Sequence, residues 1–204
     1  MHSLSAILHA DGGSRGNPGP SAGGAVLFDS NREFIADVSD YCGDTTNNVA
    51  EYRGLIAGLA LAYRNGVTEL DVYLDSELIV KQMSGTFNTS PALIGLKKEA
   101  ENIMQHFSRC TINHITREQN AVADSVVNRC LDHYTRAEKK AKDIERKTKK
   151  ILKNIENVLK NKNIDEAIVK TLEEVKNEIE YFKNTYGISS DFKKEEIEIQ
   201  EEIL

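Results

Sequence analysis

Residues 4–20 read LSAILHADGGSRGNPGP, and this stretch decides how the first half of the chain folds. The apolar run 4–10 predicts a buried strand. The run stops at Asp11, where glycine, asparagine and proline crowd together in a pattern that is typical of a loop. We therefore expect a short central strand that ends at Asp11 and leads into a glycine-rich loop.

The segments that follow alternate between strand and helix patterns. Turn residues 29–31 join two runs rich in strand formers. Helical spacing and stop signals then alternate with two further strand patterns. The predicted strands are Leu4–Ala10, Gly24–Phe28, Phe34–Tyr41, Glu69–Leu74 and Thr111–Ile115, and the predicted helices are Asn48–Arg64, Ser76–Met83, Pro91–Phe107 and one that begins near Asn120. This order predicts an α/β fold with a mixed five-stranded sheet flanked by helices.

The pattern changes after Asn120 to a heptad repeat. Apolar or small residues recur at alternating intervals of three and four, which is typical of a coiled-coil seam: Val127, Cys130, Tyr134, Ala137, Ala141, Ile144, Thr148, Ile151, Ile155 and Val158. We predict one long helix to Lys162 and a second, capped by Asp165 and ended by Gly187. Residues 188–204 are expected to add a short third helix. The predicted domains are 1–136 and an α-helical extension, 137–204.

Composition excludes several classes of protein. The chain has 204 residues and a net charge of −6, and no apolar run approaches the roughly 20 residues that span a bilayer. The first residues lack a signal-peptide pattern. Three widely spaced cysteines argue against a disulfide framework or zinc site, so we expect a cytoplasmic protein that does not bind membranes. Charge is unevenly distributed: residues 136–162 carry +7 and residues 163–204 carry −7.

Four carboxylates fall where the predicted fold would bring them together: Asp11, Glu51, Asp75 and Asp124. Strand ends and the adjoining helix starts share one crevice in an open α/β sheet. Clustered carboxylates repel, and a divalent cation removes that penalty. Oxygen ligands favour Mg²⁺, with Mn²⁺ as the alternative, over zinc. Each acid taken alone could equally be a helix cap or a partner of a helix dipole.

Four segments carry a family resemblance: residues 10–20, 44–52 (DTTNNVAEY), 73–76 (YLDS) and 116–124 (TREQNAVAD). In this order they resemble type 1 ribonuclease H, over about residues 4–135. The resemblance implies an endonuclease that cuts the RNA strand of RNA–DNA hybrids and leaves 5′-phosphate and 3′-hydroxyl ends. It implies that the four carboxylates are catalytic and hold two metal ions, with Asp11 bridging both; such pairs act in in-line displacement at phosphorus.

The resemblance also implies a set of residues that contact the hybrid: Gly12, Ser14, Asn17, Thr46, Asn47, Asn48 and Ser76. The asparagine amides suit a 2′-hydroxyl, which both donates and accepts hydrogen bonds. Thr46 matches a residue that binds a DNA-strand phosphate. The alternative is structural: the Asn17 segment would be a simple turn, and Asn47 a helix cap.

Two features depart from the family pattern. Many members carry a histidine in a longer loop before the last helix, whereas Arg117 occupies a short loop here. We assign Arg117 an auxiliary catalytic role at a phosphate or in product release, with an ordinary surface arginine as the alternative. The short segment 84–90 lacks the basic cluster that some members use to bind hybrids, which predicts weak binding by the core alone.

The tail lies outside the resemblance and allows three interpretations. Its basic and acidic halves could pair as an internal helical hairpin, its seam could join two chains or dock another protein, or its lysines could bind the hybrid directly. A rival to the enzyme hypothesis is a catalytically weak scaffold with a tail that mediates protein or nucleic-acid interactions. A 3′-exonuclease on the same fold is a second rival.

Overall fold

A computed structural model describes residues 4–160 and 164–185. Its five strands form one mixed sheet in the order β3-β2-β1-β4-β5, with antiparallel pairing among β1, β2 and β3 and parallel pairing of β4 with β1 and β5. The strands are β1 Ser5–Ser14, β2 Gly19–Asp29, β3 Phe34–Thr45, β4 Glu69–Leu74 and β5 Arg109–His114. The predicted fold class is confirmed.

Helices follow the strands at the predicted places. They are α1 Asn47–Arg64, α2 Glu77–Met83, α3 Pro91–Met104, α4 Ala121–Leu159 and α5 Glu166–Thr185, with a 3-10 turn at Arg117–Asn120 before α4. The Thr46 hydroxyl caps α1 by accepting a hydrogen bond from the Val49 N–H. No helix of the described residues is long and apolar enough to cross a membrane.

The first hairpin is longer than the sequence predicted. Asp11 pairs with Gly24 and Ser14 with Ser21, so Asp11 lies inside β1, and the expectation that it ends the strand is wrong. Glycine-rich segments lack the side-chain pattern that predicts a strand, and here backbone pairing rather than side chains holds the strand in place. Parallel pairing of β1 with β4 ends at His9, so Asp11 lies just beyond the paired part of β4.

Smaller differences occur around β5. Helix α3 ends at Met104 rather than at Phe107, and β5 runs from Arg109 to His114 rather than over 111–115. Phe107 lies after the end of α3, and its side chain is buried in the core. Arg109 forms ion pairs with Glu69 and Asp71 on β4, so β5 begins earlier than its apolar residues indicate.

Helix α1 packs unusually close to the sheet. A Cβ on Gly12 would lie 2.1 Å from the backbone nitrogen of Glu51, and a Cβ on Gly54 would lie 2.1 Å from the carbonyl oxygen of Asp11. Real side chains do not fit at these distances. Tyr52 and Leu55 are fully buried in the core on the same helix. These two glycines therefore set the position of α1 over β1.

The chain divides into two compact units, Met1–Tyr134 and Thr135–Leu204, and the division falls inside α4. The predicted domain boundary after residue 136 stays a prediction. In the second unit, Glu156 of α4 forms an ion pair with Lys176 of α5 at 3.6 Å. Because few residues separate the two helices, this contact requires α5 to fold back along α4 as a helical hairpin.

The prediction of a buried heptad seam in the tail is only partly correct. Ile155 is buried, but Ile144, Ile151 and Val158 of the predicted seam are 41–48% exposed. Their inward places are taken by Glu145, Leu152 and Leu159, each one residue later. Asp165 caps α5 as predicted, because its carboxylate accepts a hydrogen bond from the Ala167 N–H. The predicted stop at Gly187 and the third helix 188–204 lie outside the described residues.

Candidate active site

Three carboxylates from three different elements meet at one point. Asp11 comes from β1, Glu51 from the second turn of α1, and Asp75 directly follows β4. One oxygen of each lies within 4.8 Å of the others. Asp11 and Glu51 are each only 7% exposed. The topology explains the meeting, since β1 and β4 are neighbours and α1 packs directly over Asp11.

The electrostatics of this cluster disfavour three negative charges. Burial, followed by the charge of Asp75, raises the pKa of Asp11 to about 7, although the Gly12 N–H partly stabilises the carboxylate. Burial and the charges of Asp11 and Asp75 raise the pKa of Glu51 to about 9. The cluster therefore favours protons or a cation, as closely spaced buried carboxylates do.

One oxygen of Glu51 is available to a cation. Asn47 donates a hydrogen bond from its side-chain amide to Oε1 of Glu51 at 3.3 Å. Oε2 of Glu51 is buried and has no hydrogen-bond partner among the described residues. A buried acceptor without a partner is costly and calls for an explanation such as an ion. The all-oxygen donor set of Asp11, Glu51 and Asp75 suits Mg²⁺ or Mn²⁺.

Asn120 holds the cluster in place, although this role was not predicted from the sequence. Asn120, at the end of the 3-10 turn, is fully buried. Its side-chain amide donates to Oδ1 of Asp75 and to the carbonyl oxygen of Ala10, both at 2.9 Å, while Oδ1 contacts Nδ1 of His9 at 3.3 Å. Asn120 thus joins β1 to Asp75. A polar residue at a predicted helix start, four positions before Asp124, was the available signal.

Asp124 lies near the three clustered carboxylates but is not one of the cluster. It forms an ion pair with Arg117 at 3.3 Å and accepts a hydrogen bond from Asn128 at 2.8 Å. Its charge contributes to the raised pKa of Asp11, so it lies close enough to influence the site. Its predicted role as a metal ligand stays a prediction. Arg117 is 79% exposed and otherwise free to meet a ligand at the mouth of the site.

Hydrogen bonds connect two of the predicted hybrid contacts, Asn17 and Asn47, to the cluster. The side-chain oxygen of Asn17 accepts a hydrogen bond from the Asn47 N–H at 3.3 Å, which ties the β1–β2 loop to the start of α1. Asn48 is exposed in the first turn of α1. Asn47 contacts Glu51 and Thr46 caps α1, so both have structural roles in addition to the predicted ones.

The remaining predicted contacts have clear local surroundings. The Ser14 hydroxyl lies within hydrogen-bond reach of the carbonyl oxygens of Gly16, Gly19 and Thr45, so it closes the loop between β1 and β2. Ser76 precedes α2 beside Asp75, and its side chain makes no capping hydrogen bond to that helix. Gly12 is buried beneath α1, so the close approach that it permits is to this helix.

Comparison with known proteins now identifies the family. A family model described as reverse transcriptase-like matches residues 9–130. The chain belongs to this family. Within it, the chain is similar to proteins named ribonuclease H, and the resemblance to type 1 ribonuclease H is confirmed.

Three of the similar proteins illustrate the relationship. The bifunctional protein Rv2228c of Mycobacterium tuberculosis is 42% identical over 131 residues, which are 63% of this chain and 36% of that protein. Ribonuclease HI of Halobacterium salinarum is 39% identical over 128 residues, 61% of this chain and 64% of that protein. The crystal structure of LC11-RNase H1 in complex with an RNA/DNA hybrid superposes with a TM-score of 0.61 at 38% identity, covering 64% of this chain and 99% of that one.

The matched region is the first part of the chain. The chain spans about a third of the length of the mycobacterial relatives, and the similarity is confined to the part before the helical tail. The ribonuclease H domain carries the clustered carboxylates, the Asn120 contacts and the loop around Asn17. The tail has no counterpart in the matched region and must be understood from its own contacts.

Proposed function

We propose that this ribonuclease H domain is an endonuclease that hydrolyses the RNA strand of RNA–DNA hybrids with divalent cations bound at Asp11, Glu51 and Asp75. The observation that carries the proposal is the cluster of three carboxylate oxygens within 4.8 Å, one of which belongs to a glutamate whose second oxygen is buried without a partner. Support for the substrate class comes from the relative whose structure contains an RNA/DNA hybrid.

Each carboxylate has a distinct task in this proposal. Asp11, with Glu51 and Asp75, would hold two Mg²⁺ or Mn²⁺ ions, and Asp124 would complete the site from the start of α4. Ions held there would supply an activated water and stabilise the leaving 3′-oxygen, so that the products would have 5′-phosphate and 3′-hydroxyl ends. Asn120 donates a hydrogen bond to Oδ1 of Asp75, which fixes the position of this carboxylate in the cluster.

The loop residues bind the hybrid beside the cluster. Asn17 and Asn48 offer amides to the minor groove, where the 2′-hydroxyl distinguishes RNA from DNA. Asn47 couples this recognition to catalysis, since its backbone contacts Asn17 and its side chain contacts Glu51. Arg117 is exposed and positively charged at the mouth of the site, where it can meet a phosphate of the cleaved strand.

The test is cleavage of an end-labelled RNA–DNA hybrid by the full chain with Mg²⁺, with Mn²⁺ and with EDTA. We expect internal cuts in the RNA strand with either metal and none with EDTA. Single-stranded and double-stranded RNA serve as substrate controls. Labelling of the products with a kinase or a ligase then identifies their ends.

Variants separate the proposed site from general effects of charge loss. Asp75→Asn should remove cleavage, because it takes away one of the three clustered oxygens. Asp71→Asn is the matched control: this carboxylate lies on β4, four positions before Asp75, but pairs with Arg109 and Thr111. If Asp75→Asn cuts as fast as the unmodified chain, the proposed site is wrong. If the unmodified chain cuts no substrate with either metal, a weak scaffold with a working tail becomes the better hypothesis.

The cell compartment is a further part of the proposal. All three cysteines are free thiols in the structure, and burial raises the pKa of Cys42 and Cys110 to about 11. Inert, unpaired thiols suit the reducing cytoplasm. Localisation of the tagged full chain by cell fractionation tests this point.

A further inference from the structure

An apolar face covers one side of the helical hairpin that α4 and α5 form in the tail. On α4, Ile144, Ile151 and Val158 are 41%, 48% and 45% exposed. On α5, Ile168 and Val175 are 52% and 40% exposed. We call these five residues the tail face. Within each helix they recur every seven residues, so each set forms a stripe along one side of its helix.

The two stripes lie on the same side of the hairpin. The inward residues of α4, such as Leu152 and Ile155, follow the stripe residue Ile151 by one and four positions. The inward residues of α5, Lys176 and Ile179, follow the stripe residue Val175 by the same intervals. Both stripes are therefore rotated in the same sense from the contact between the helices. Because the helices run in opposite directions, the same sense of rotation places both stripes on one surface.

We propose that a second copy of this chain covers the tail face, so that two hairpins form an antiparallel four-helix bundle. Large exposed apolar surfaces with regular spacing mark interaction sites. The helix α5 of 20 residues is ~30 Å long, and two helices side by side are ~20 Å wide. The hairpin surface is thus roughly 600 Å² per copy, and about 1,200 Å² for two copies reaches the lower end of stable interfaces.

Charge selects a second copy over a different partner. Within the hairpin, residues 136–159 of α4 carry a net charge of +5 and residues 166–185 of α5 carry −2. A partner with one sign of charge, such as a nucleic acid, would be attracted by one helix and repelled by the other. A second hairpin carries both signs. When the two-fold axis runs parallel to the helices, basic α4 of each copy lies over acidic α5 of the other.

The test is the molar mass of the full chain by sedimentation equilibrium over a range of concentrations. We expect a dimer for the unmodified chain and a monomer for Ile151→Asp/Val175→Asp, whose substitutions are at exposed positions. Circular dichroism should show the same helix content for both. Asn157→Asp/Asn177→Asp is the matched control, because it adds the same two charges at exposed sites about 120° and 160° round each helix from the stripe. It should remain a dimer.

A chain that stays monomeric up to its solubility limit would overturn the proposal, and would mean that residues of the same chain cover the tail face. A dimer that survives Ile151→Asp/Val175→Asp would place the interface elsewhere and overturn it equally. Hybrid cleavage plays no part in this test, so its outcome is independent of the proposed activity.

Discussion

Asp11→Asn should make the metal-free protein more stable while it removes activity. The pKa of Asp11 is raised by burial from 3.8 to about 7. Three units at 1.36 kcal/mol each correspond to at most about 4 kcal/mol of unfolding free energy, lost when this carboxyl ionises in the fold. An asparagine keeps the acceptor for the Gly12 N–H, but its amide also needs partners, so we expect a gain of about 2 kcal/mol.

The sign of the effect depends on pH. Well below pH 3.8 the Asp11 carboxyl is protonated in both the folded and the unfolded chain, and its ionisation costs no stability. As the pH rises towards 7, the unfolded chain loses its proton first, so the raised pKa destabilises the fold progressively. The gain from Asp11→Asn should therefore be small near pH 4 and fully present at pH 8.

The assay is thermal unfolding in EDTA at several pH values, followed by addition of Mg²⁺. A gain of about 2 kcal/mol corresponds to a Tm higher by roughly 4–8 °C at pH 8 for a chain of this size. Mg²⁺ should then raise the Tm of the unmodified chain but not that of the variant, since ligands stabilise only the state that binds them. The reasoning is refuted if the variant is no more stable than the unmodified chain in EDTA at pH 8.

Asp71→Asn, in contrast to Asp11→Asn, should not stabilise the protein. Hydrogen bonds from Arg109 and Thr111 hold the pKa of Asp71 below its usual range. Its charge therefore contributes to stability at neutral pH, and this contribution is lost as the pH falls through the lowered pKa. The Tm of Asp71→Asn at pH 8 should be equal to or lower than that of the unmodified chain, with cleavage retained.

Three further substitutions test individual contacts. Gly12→Ala should destabilise the fold by about 3 kcal/mol in urea unfolding, because its Cβ would lie 2.1 Å from the backbone of α1. Asn120→Ala should lower kcat for hybrid cleavage by about tenfold with little change in KM, since Asp75 loses the donor that orients it. Arg117→Ala should lower kcat in steady-state cleavage while its Tm stays unchanged, because the side chain is exposed and its one ion pair is with Asp124.

The element order and the clustered carboxylates could be predicted because each rests on a local signal. Apolar runs and helical spacing locate the strands and helices, and the topology then brings Asp11, Glu51 and Asp75 together. The extension of β1 to Ser14 could not be predicted, since glycine-rich strands lack the side-chain pattern that marks a strand. The backbone pairing of β1 with β2 is visible only in three dimensions.

Contacts between distant segments could not be predicted from the sequence either. Nothing near Asn120 indicates that its amide will reach both Asp75 and the carbonyl oxygen of Ala10. The tail shows the same limit in another form. The seven-residue spacing is present in α4, but a residue at one of these positions, Ile151, lies on the exposed stripe. Its neighbour Leu152 is the residue that lies towards the inside of the hairpin. Spacing predicts that a helix has an apolar side, and only packing decides which neighbour each residue meets.

The close approach of α1 to β1 links the stability of the fold to its chemistry. Gly12 and Gly54 let the helix backbone come so near to Asp11 that Glu51 is buried together with it. A bulkier pair of residues would lift α1, hydrate both carboxylates and return their pKa values towards normal. The same packing that strengthens the core therefore creates the unfavourable charge that a divalent cation relieves. When the cluster loses a carboxylate, metal affinity should fall while the stability of the metal-free fold rises. When α1 is displaced from β1, both metal affinity and fold stability should fall.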